Sequence, residues 1–242
     1  MKKTLKWIGI FIIAFLSVLL YSGIYLDIPR KELESKYATG SSKFLNLPDG
    51  ARIHFRDEGK AESPVIVLLH GFNGSLFNFE RLVPLLVNDF RLISIDLPGF
   101  GLTGATPAAD YTTEGFIDAV TKLTDELGIE QFSIAGNSMG GGVAWRYALE
   151  YPTKVEGLIL LASSGVGSKE DIKKFEERER NTPIVWKLMN STLLKKFLHY
   201  YTPKFFATEG LKRSVYDQQF ANADHANQFH DLVLLQGSRN AI

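Results

Sequence analysis

The chain has 242 residues, enough for one mid-sized domain and an appendage. Hydrophobic residues make up 45% of it, so a true core can be buried. The 27 basic and 27 acidic side chains balance, which argues against a nucleic-acid-binding protein and an acidic disordered tail. With no cysteine, disulfides, thiolate metal sites, a cysteine nucleophile and a lipidated cysteine are excluded.

At the N-terminus Lys2, Lys3 and Lys6 precede an uncharged run from Trp7 to Leu26. As a helix this run would be about 30 Å long, the thickness of a bilayer's hydrocarbon core. Trp7, Tyr21 and Tyr25 stand near its ends, where amphipathic rings prefer the membrane interface. The competing reading is a cleaved signal peptide, but the apolar core is long for one and no A-x-A-like site follows; Ser22-Gly23 is a weak substitute. The expectation is a single-pass membrane anchor over residues 1–29. Its lysine-rich end would be cytoplasmic and the following domain extracytoplasmic, although Arg30, Lys31 and Lys36 on the far side weigh against that orientation. Residues 30–42 read as a polar stalk.

The folded part begins at residue 43. Pro48-Asp49-Gly50 lies between Phe44, Leu45 and Leu47 and the alternating Ile53 and Phe55, a hairpin pattern. Val65–Leu69 is a continuous apolar run, as in a strand buried on both faces. The expected elements then alternate: a helix over 79–87, a strand over 91–95, and a helix carrying Phe116, Ala119, Val120, Leu123 and Leu127, stopped by Gly128. A strand over 131–135, a helix over 138–150 and a strand over 155–161 follow. Such alternation implies a mostly parallel sheet with helices on both faces, an α/β core over 43–165. Beyond Gly165 the pattern changes to a charged stretch over 168–180 and an aromatic-rich region over 183–235, read as helical, including Leu232–Leu235.

Gly136-Asn137-Ser138-Met139-Gly140 fits G-x-S-x-G between an expected strand and an expected helix. A nucleophilic serine must stand on a sharp turn at the sheet's C-terminal edge. The flanking Gly136 and Gly140 let the backbone make that turn, and the helix start directs free N–H groups at developing negative charge. Ser138 is therefore the candidate nucleophile. His70-Gly71-Phe72 follows the first buried strand, where an H-G loop supplies the second half of an oxyanion hole. The expected donors are the backbone N–H groups of Phe72 and Met139. His70 reads as a loop brace, since the general base of this arrangement comes late in the chain. Asp96-Leu97-Pro98-Gly99-Phe100-Gly101-Leu102-Thr103-Gly104 contains G-x-G-x-x-G, but Ala105-Thr106-Pro107 cannot open the required helix. It reads as a structured loop braced by Asp96. His54, His199, His225 and His230 form no metal-binding pattern and read as surface or core residues.

These residues resemble the α/β-hydrolase superfamily. More narrowly, they are similar to bacterial hydrolases with an N-terminal membrane segment, through Arg52-Ile53-His54-Phe55-Arg56-Asp57-Glu58-Gly59, Leu68-Leu69-His70-Gly71-Phe72, Asp96–Thr103 and Gly136–Gly141. The resemblance implies a helical cap, here over 166–242, and a catalytic Ser, Asp, His order. The strands that would carry the triad Asp and His are not found, and two further βα units would need roughly 60 residues. No acid follows the strand over 155–161 either. The expectation is a fold incomplete at the C-terminus, from a fragment or a truncated gene.

The function this implies is ester or related acyl-bond hydrolysis through an acyl-enzyme on Ser138. It needs no cofactor or metal and acts on a small, mainly apolar substrate, which the aromatic cap suggests. C–C bond hydrolysis on the same fold, a non-catalytic protein, and a receptor that binds ligand in the cap cleft are the alternatives.

Overall fold

A computed structural model describes residues 7, 10, 11, 14, 17, 18, 21–165 and 199–241. The chain divides into two compact units. One holds residues 27–172 and 231–242, the other residues 1–26 and 173–230.

The first unit is built on a six-stranded sheet. Its strands are β1 (Ser42–Asn46), β2 (Arg52–Glu58), β3 (Val65–Leu69), β4 (Arg91–Ile95), β5 (Phe132–Asn137) and β6 (Val155–Leu161), ordered β1-β2-β4-β3-β5-β6. The expected hairpin forms from β1 and β2, and β2 runs antiparallel to β4. The remaining neighbours are parallel. The continuous apolar run in β3 is buried, as are Leu92, Ile93 and Ile95 of β4, because helical segments cover both faces of the sheet. The expected helix over 79–87 is instead a 3-10 turn at Leu76–Phe79 and a short α2 (Val83–Leu86). On the main core face α3 (Thr113–Glu126) packs Phe116, Ile117, Val120 and Leu123 against Ile93, Ile95 and Ile134. Thr112 caps α3, its hydroxyl accepting from the Gly115 amide at 3.2 Å.

Register decides where the loops emerge. Leu69 of β3 lies level with Ile95 of β4 and with Gly136 of β5. The three strands therefore end at one edge and deliver His70, Asp96 and Ser138 there. Helix α4 (Met139–Glu150) returns from that edge across β5, with β6 on one side and the end of β3 on the other. A side chain at Gly140 would be driven into the carbonyl oxygens of Leu69 and His70.

β6 is exposed along much of its length. It pairs with β5, but Leu158, Ile159, Leu160 and Leu161 each keep 38–42% exposure, and β6 stands at the end of the sheet order.

Residues 30–37, expected as stalk, form helix α1 (Arg30–Tyr37). Its one large apolar side chain, Leu33, is 1% exposed and packs with Leu76, Phe77, Leu102, Leu232 and Leu235. Arg30 donates to the carbonyls of Leu102 (2.6 Å) and Thr103 (2.9 Å). The residues after 230 also belong to this unit: Ile28 pairs in parallel with Leu235, and Arg239 forms an ion pair with Asp27. Leu232–Leu235, expected as helix, is split between the end of a helix and this bridge.

In the second unit the described helices are α5 (Lys204–Ser214) and α6 (Ala223–Val233), the latter crossing into the first unit at residue 231. The membrane-spanning helix expected over 7–26 is corrected: among the described residues, no helix is long and apolar enough to cross a membrane. The reason is visible at the far end of the expected span. The helical residues end at Tyr21, a turn follows at Ser22-Gly23, and Ile24 pairs antiparallel with Tyr201. The Tyr25 amide donates to the Tyr200 carbonyl (3.0 Å), and the Thr202 amide donates to the Gly23 carbonyl (2.7 Å). Backbone groups that a spanning helix would satisfy internally are paired with another segment. The membrane partner, the single-pass anchor and the extracytoplasmic placement fall with the helix. The rest of residues 1–20, and residues 166–198 of the expected cap, lie outside the described residues.

The tight crossing of α4 makes two opposed predictions. Gly140→Ala forces backbone apart and should lower unfolding stability in urea by about 3 kcal/mol or more. Gly210→Ala, on α5 with open space around the added carbon, should raise it by about 0.5–1 kcal/mol.

Candidate active site

Ser138 lies between β5 and α4 with φ 49° and ψ −114°, a backbone conformation that a side-chain-bearing residue rarely adopts. The turn is held on three sides. The Ser138 amide donates to Leu161 O (3.0 Å), and its carbonyl accepts from the amides of Gly142 (3.1 Å) and Ser164 (2.9 Å). Asn137 adds a side-chain amide bond to Leu161 O at 3.1 Å. The backbone is thus fully committed while the residue itself is exposed. Among the described residues the Ser138 hydroxyl has no hydrogen-bonding partner. Holding a non-glycine residue in such a conformation costs roughly 1–3 kcal/mol, offset here by those four bonds.

The H-G loop lies against this turn. A carbon added at Gly71 would sit 3.1 Å from Asn137 Oδ1 and 3.3 Å from Ser138 Cβ, so a side chain there would press the two loops apart by a few tenths of an ångström. His70 is fully buried and has both ring nitrogens occupied. Nε2 accepts from the Leu97 amide (3.0 Å), which leaves the proton on Nδ1, and Nδ1–H donates to Gly71 O (2.7 Å). The Gly74 amide donates to the same carbonyl at 3.0 Å. Because the peptide bond is planar and trans, fixing the Gly71 carbonyl also fixes the N–H of Phe72, on the opposite side of the plane. Among the described residues neither the Phe72 amide nor the Met139 amide, the first of α4, donates a hydrogen bond.

Burial holds the His70 imidazole below its ordinary value, so it stays neutral and braced. The Phe72 ring is 55% exposed and leans edge-on against Phe100, with centroids 5.6 Å apart. His70 meets the same ring at 5.7 Å. The flanking loop 97–104 closes on itself, with the Gly99 amide donating to Gly104 O at 2.7 Å, and opens no helix.

Of the expected site residues, Gly71, Asn137 and Ser138 are brought into contact, with Phe72, Met139, Gly136 and Gly140 adjacent to them in chain. His70 stands behind this group as a support. The sequence reading missed the pairing of His54 with Asp96. His54 Nδ1 lies 2.6 Å from Asp96 Oδ2, and both side chains are fully buried. The signal was weak: a histidine within an alternating strand, whose partner depends on β2 lying next to β4. Of the histidines in this unit, both are enclosed and committed. His199, His225 and His230 belong to the other unit.

The alpha/beta hydrolase fold family matches residues 64–229. The chain belongs to this family. Among its relatives, the chain is 35% identical over 115 residues to an uncharacterized hydrolase, YNR064C, of Saccharomyces cerevisiae, covering 48% of the chain and 40% of the relative. It is 29% identical over 210 residues to a 2-hydroxy-6-oxononadienedioate/2-hydroxy-6-oxononatrienedioate hydrolase of Pseudomonas sp, covering 83% and 73%. It is 32% identical over 186 residues to Lipase 1 of Psychrobacter immobilis, covering 72% and 58%. The chain thus spans about 40% to 73% of the length of these relatives.

Two predictions test this geometry. Ser138→Gly relieves the backbone conformation and should raise stability by about 1 kcal/mol relative to Ser138→Ala, measured by urea unfolding. For His70, the folded value lies below the unfolded value of 6.5, so its contribution is complete above that pH and is lost as pH falls below it. Between about pH 7 and pH 5 stability should decline, with His70 adding up to about 1.4 kcal/mol per pH unit. His70→Gln should remove that part of the slope.

Proposed function

We propose that this hydrolase cleaves an ester or related acyl bond of a small, mainly apolar molecule through an acyl-enzyme on Ser138. The observation that carries the reading is the exposed serine, on a strained and fully hydrogen-bonded turn, beside two backbone amides that have no acceptor among the described residues. Ser138 Oγ attacks the substrate carbonyl, and its proton passes to a base. The carbonyl oxygen takes the negative charge between the N–H groups of Phe72 and Met139, aided by the start of α4. The tetrahedral species collapses, the alcohol leaves with a proton, and water releases the acid in the reverse sequence. The donors are already fixed before substrate arrives, so little reorganisation is needed when the charge develops. The exposed Phe72 ring on Phe100 offers an apolar surface beside the nucleophile, which supports an apolar acyl group.

A second reading rests on the Pseudomonas relative, whose name gives a dienedioate as substrate. In that case the bond broken is carbon–carbon and the same oxyanion site serves the ketone carbonyl.

The test is labelling with a fluorophosphonate and a panel of p-nitrophenyl esters of increasing chain length. Labelling at Ser138, its loss in Ser138→Ala and turnover of apolar esters are expected. An unlabelled wild-type chain would overturn the proposal. Labelling without turnover of any ester, together with cleavage of a dienedioate, would favour the second reading.

A further inference from the structure

The reaction as written makes no use of His54, yet His54 is one of the most enclosed polar residues in the protein. Its Nε2 is buried without a hydrogen-bond partner, an arrangement that costs stability unless the other ring nitrogen compensates. That other nitrogen, Nδ1, faces Asp96 Oδ2 at 2.6 Å. The Asp96 carboxylate gathers three donors from three separate segments. Oδ1 accepts from the Leu76 amide (2.7 Å), at the end of the H-G loop, and Oδ2 accepts from the Leu102 amide (2.7 Å), in the loop that carries Phe100. The third donor is His54 Nδ1–H, because an ionised carboxylate can only accept. Thr103 closes the arrangement: its hydroxyl donates to Asp96 O (2.7 Å) and accepts from the His54 amide (2.8 Å). Gly101 (φ 52°) leaves room for the carboxylate, which a side chain there would strike. One residue further along, the Leu97 amide holds His70, and His70 holds the Gly71 carbonyl.

We propose that the buried His54–Asp96 couple positions the oxyanion site from behind, setting the orientation of the Phe72 amide through Leu76 at one end of the H-G loop and through Leu97 and His70 at the other. His54 and Asp96 are positioning residues, since neither touches the reacting atoms. This rests on the reading of Phe72 as an oxyanion donor. The couple holds the loop whether or not substrate is present, so its loss should affect the transition state and leave ground-state binding nearly unchanged.

The experiment compares Asp96→Asn, His54→Leu and His54→Asn with the wild-type chain. Asparagine at 54 can place an amide N–H where Nδ1–H stood, while leucine cannot. On a short p-nitrophenyl ester, Asp96→Asn and His54→Leu should each lose about 10- to 100-fold in kcat with KM within about threefold, the cost of a misplaced donor. His54→Asn should recover to within about threefold of wild type. Equal kcat in the two His54 variants, or a loss seen only in proportion to unfolded protein, would overturn the proposal. An arm independent of activity is amide hydrogen exchange at Leu76 and Leu102. Both should be protected in wild type and in His54→Asn and exchange faster in His54→Leu. If the wild type proves inert to esters and fluorophosphonate, the acyl-hydrolase reading fails, and this exchange pattern alone decides whether the couple holds the loops. Equal protection in all three proteins sinks it.

Discussion

The site depends on a matter of register. β3 pairs with β4 on one side and β5 on the other, and Leu69, Ile95 and Gly136 come level. From that alignment the three following residues or turns must share one edge, however far apart they stand in sequence. A slip of one residue on any of the three would invert its side chains and move its loop away. The alignment keeps Val67, Leu69, Ile93, Ile95 and Ile134 together in one buried cluster and Ile66, Leu68 and Leu92 in another.

The second requirement is close approach. α4 must return across β5 and the end of β3 with almost no gap. Gly140 sits where any side chain would meet the backbone of Leu69 and His70. That closeness places the first amide of the helix beside the strand end rather than several ångströms above it. The strain at Ser138 belongs to the same bargain: the bonds to Leu161, Gly142 and Ser164 hold a conformation that the free chain would seldom visit.

Much of this was legible in the sequence because the signals are local. The G-x-S-x-G run needs only its flanking strand and helix to be read as a sharp turn, and the 65–69 run identifies a buried strand by composition alone. The hairpin around Asp49-Gly50 is equally local. What was not legible is what depends on distant pairing. His54 acquires a meaning only when β2 is placed next to β4, which a linear reading cannot give because β3 lies between them in the chain. Leu33 looks isolated in a charged stretch, yet it packs against Leu232 and Leu235 from the far end of the sequence. The apolar run over 7–26 misled for the opposite reason. Hydropathy counts side chains and is blind to the backbone, which at Gly23, Ile24 and Tyr25 is paired with residues 200–202.

The Gly71–Phe72 peptide unit is a rigid plate, and its carbonyl is clamped by two donors, the His70 ring and the Gly74 amide. Rotating that plate by half a turn would present a carbonyl oxygen where an N–H had been. To do so both clamps must break at once, with Gly71 and Gly74 buried, so the facing of this peptide is settled by the fold before anything binds against it.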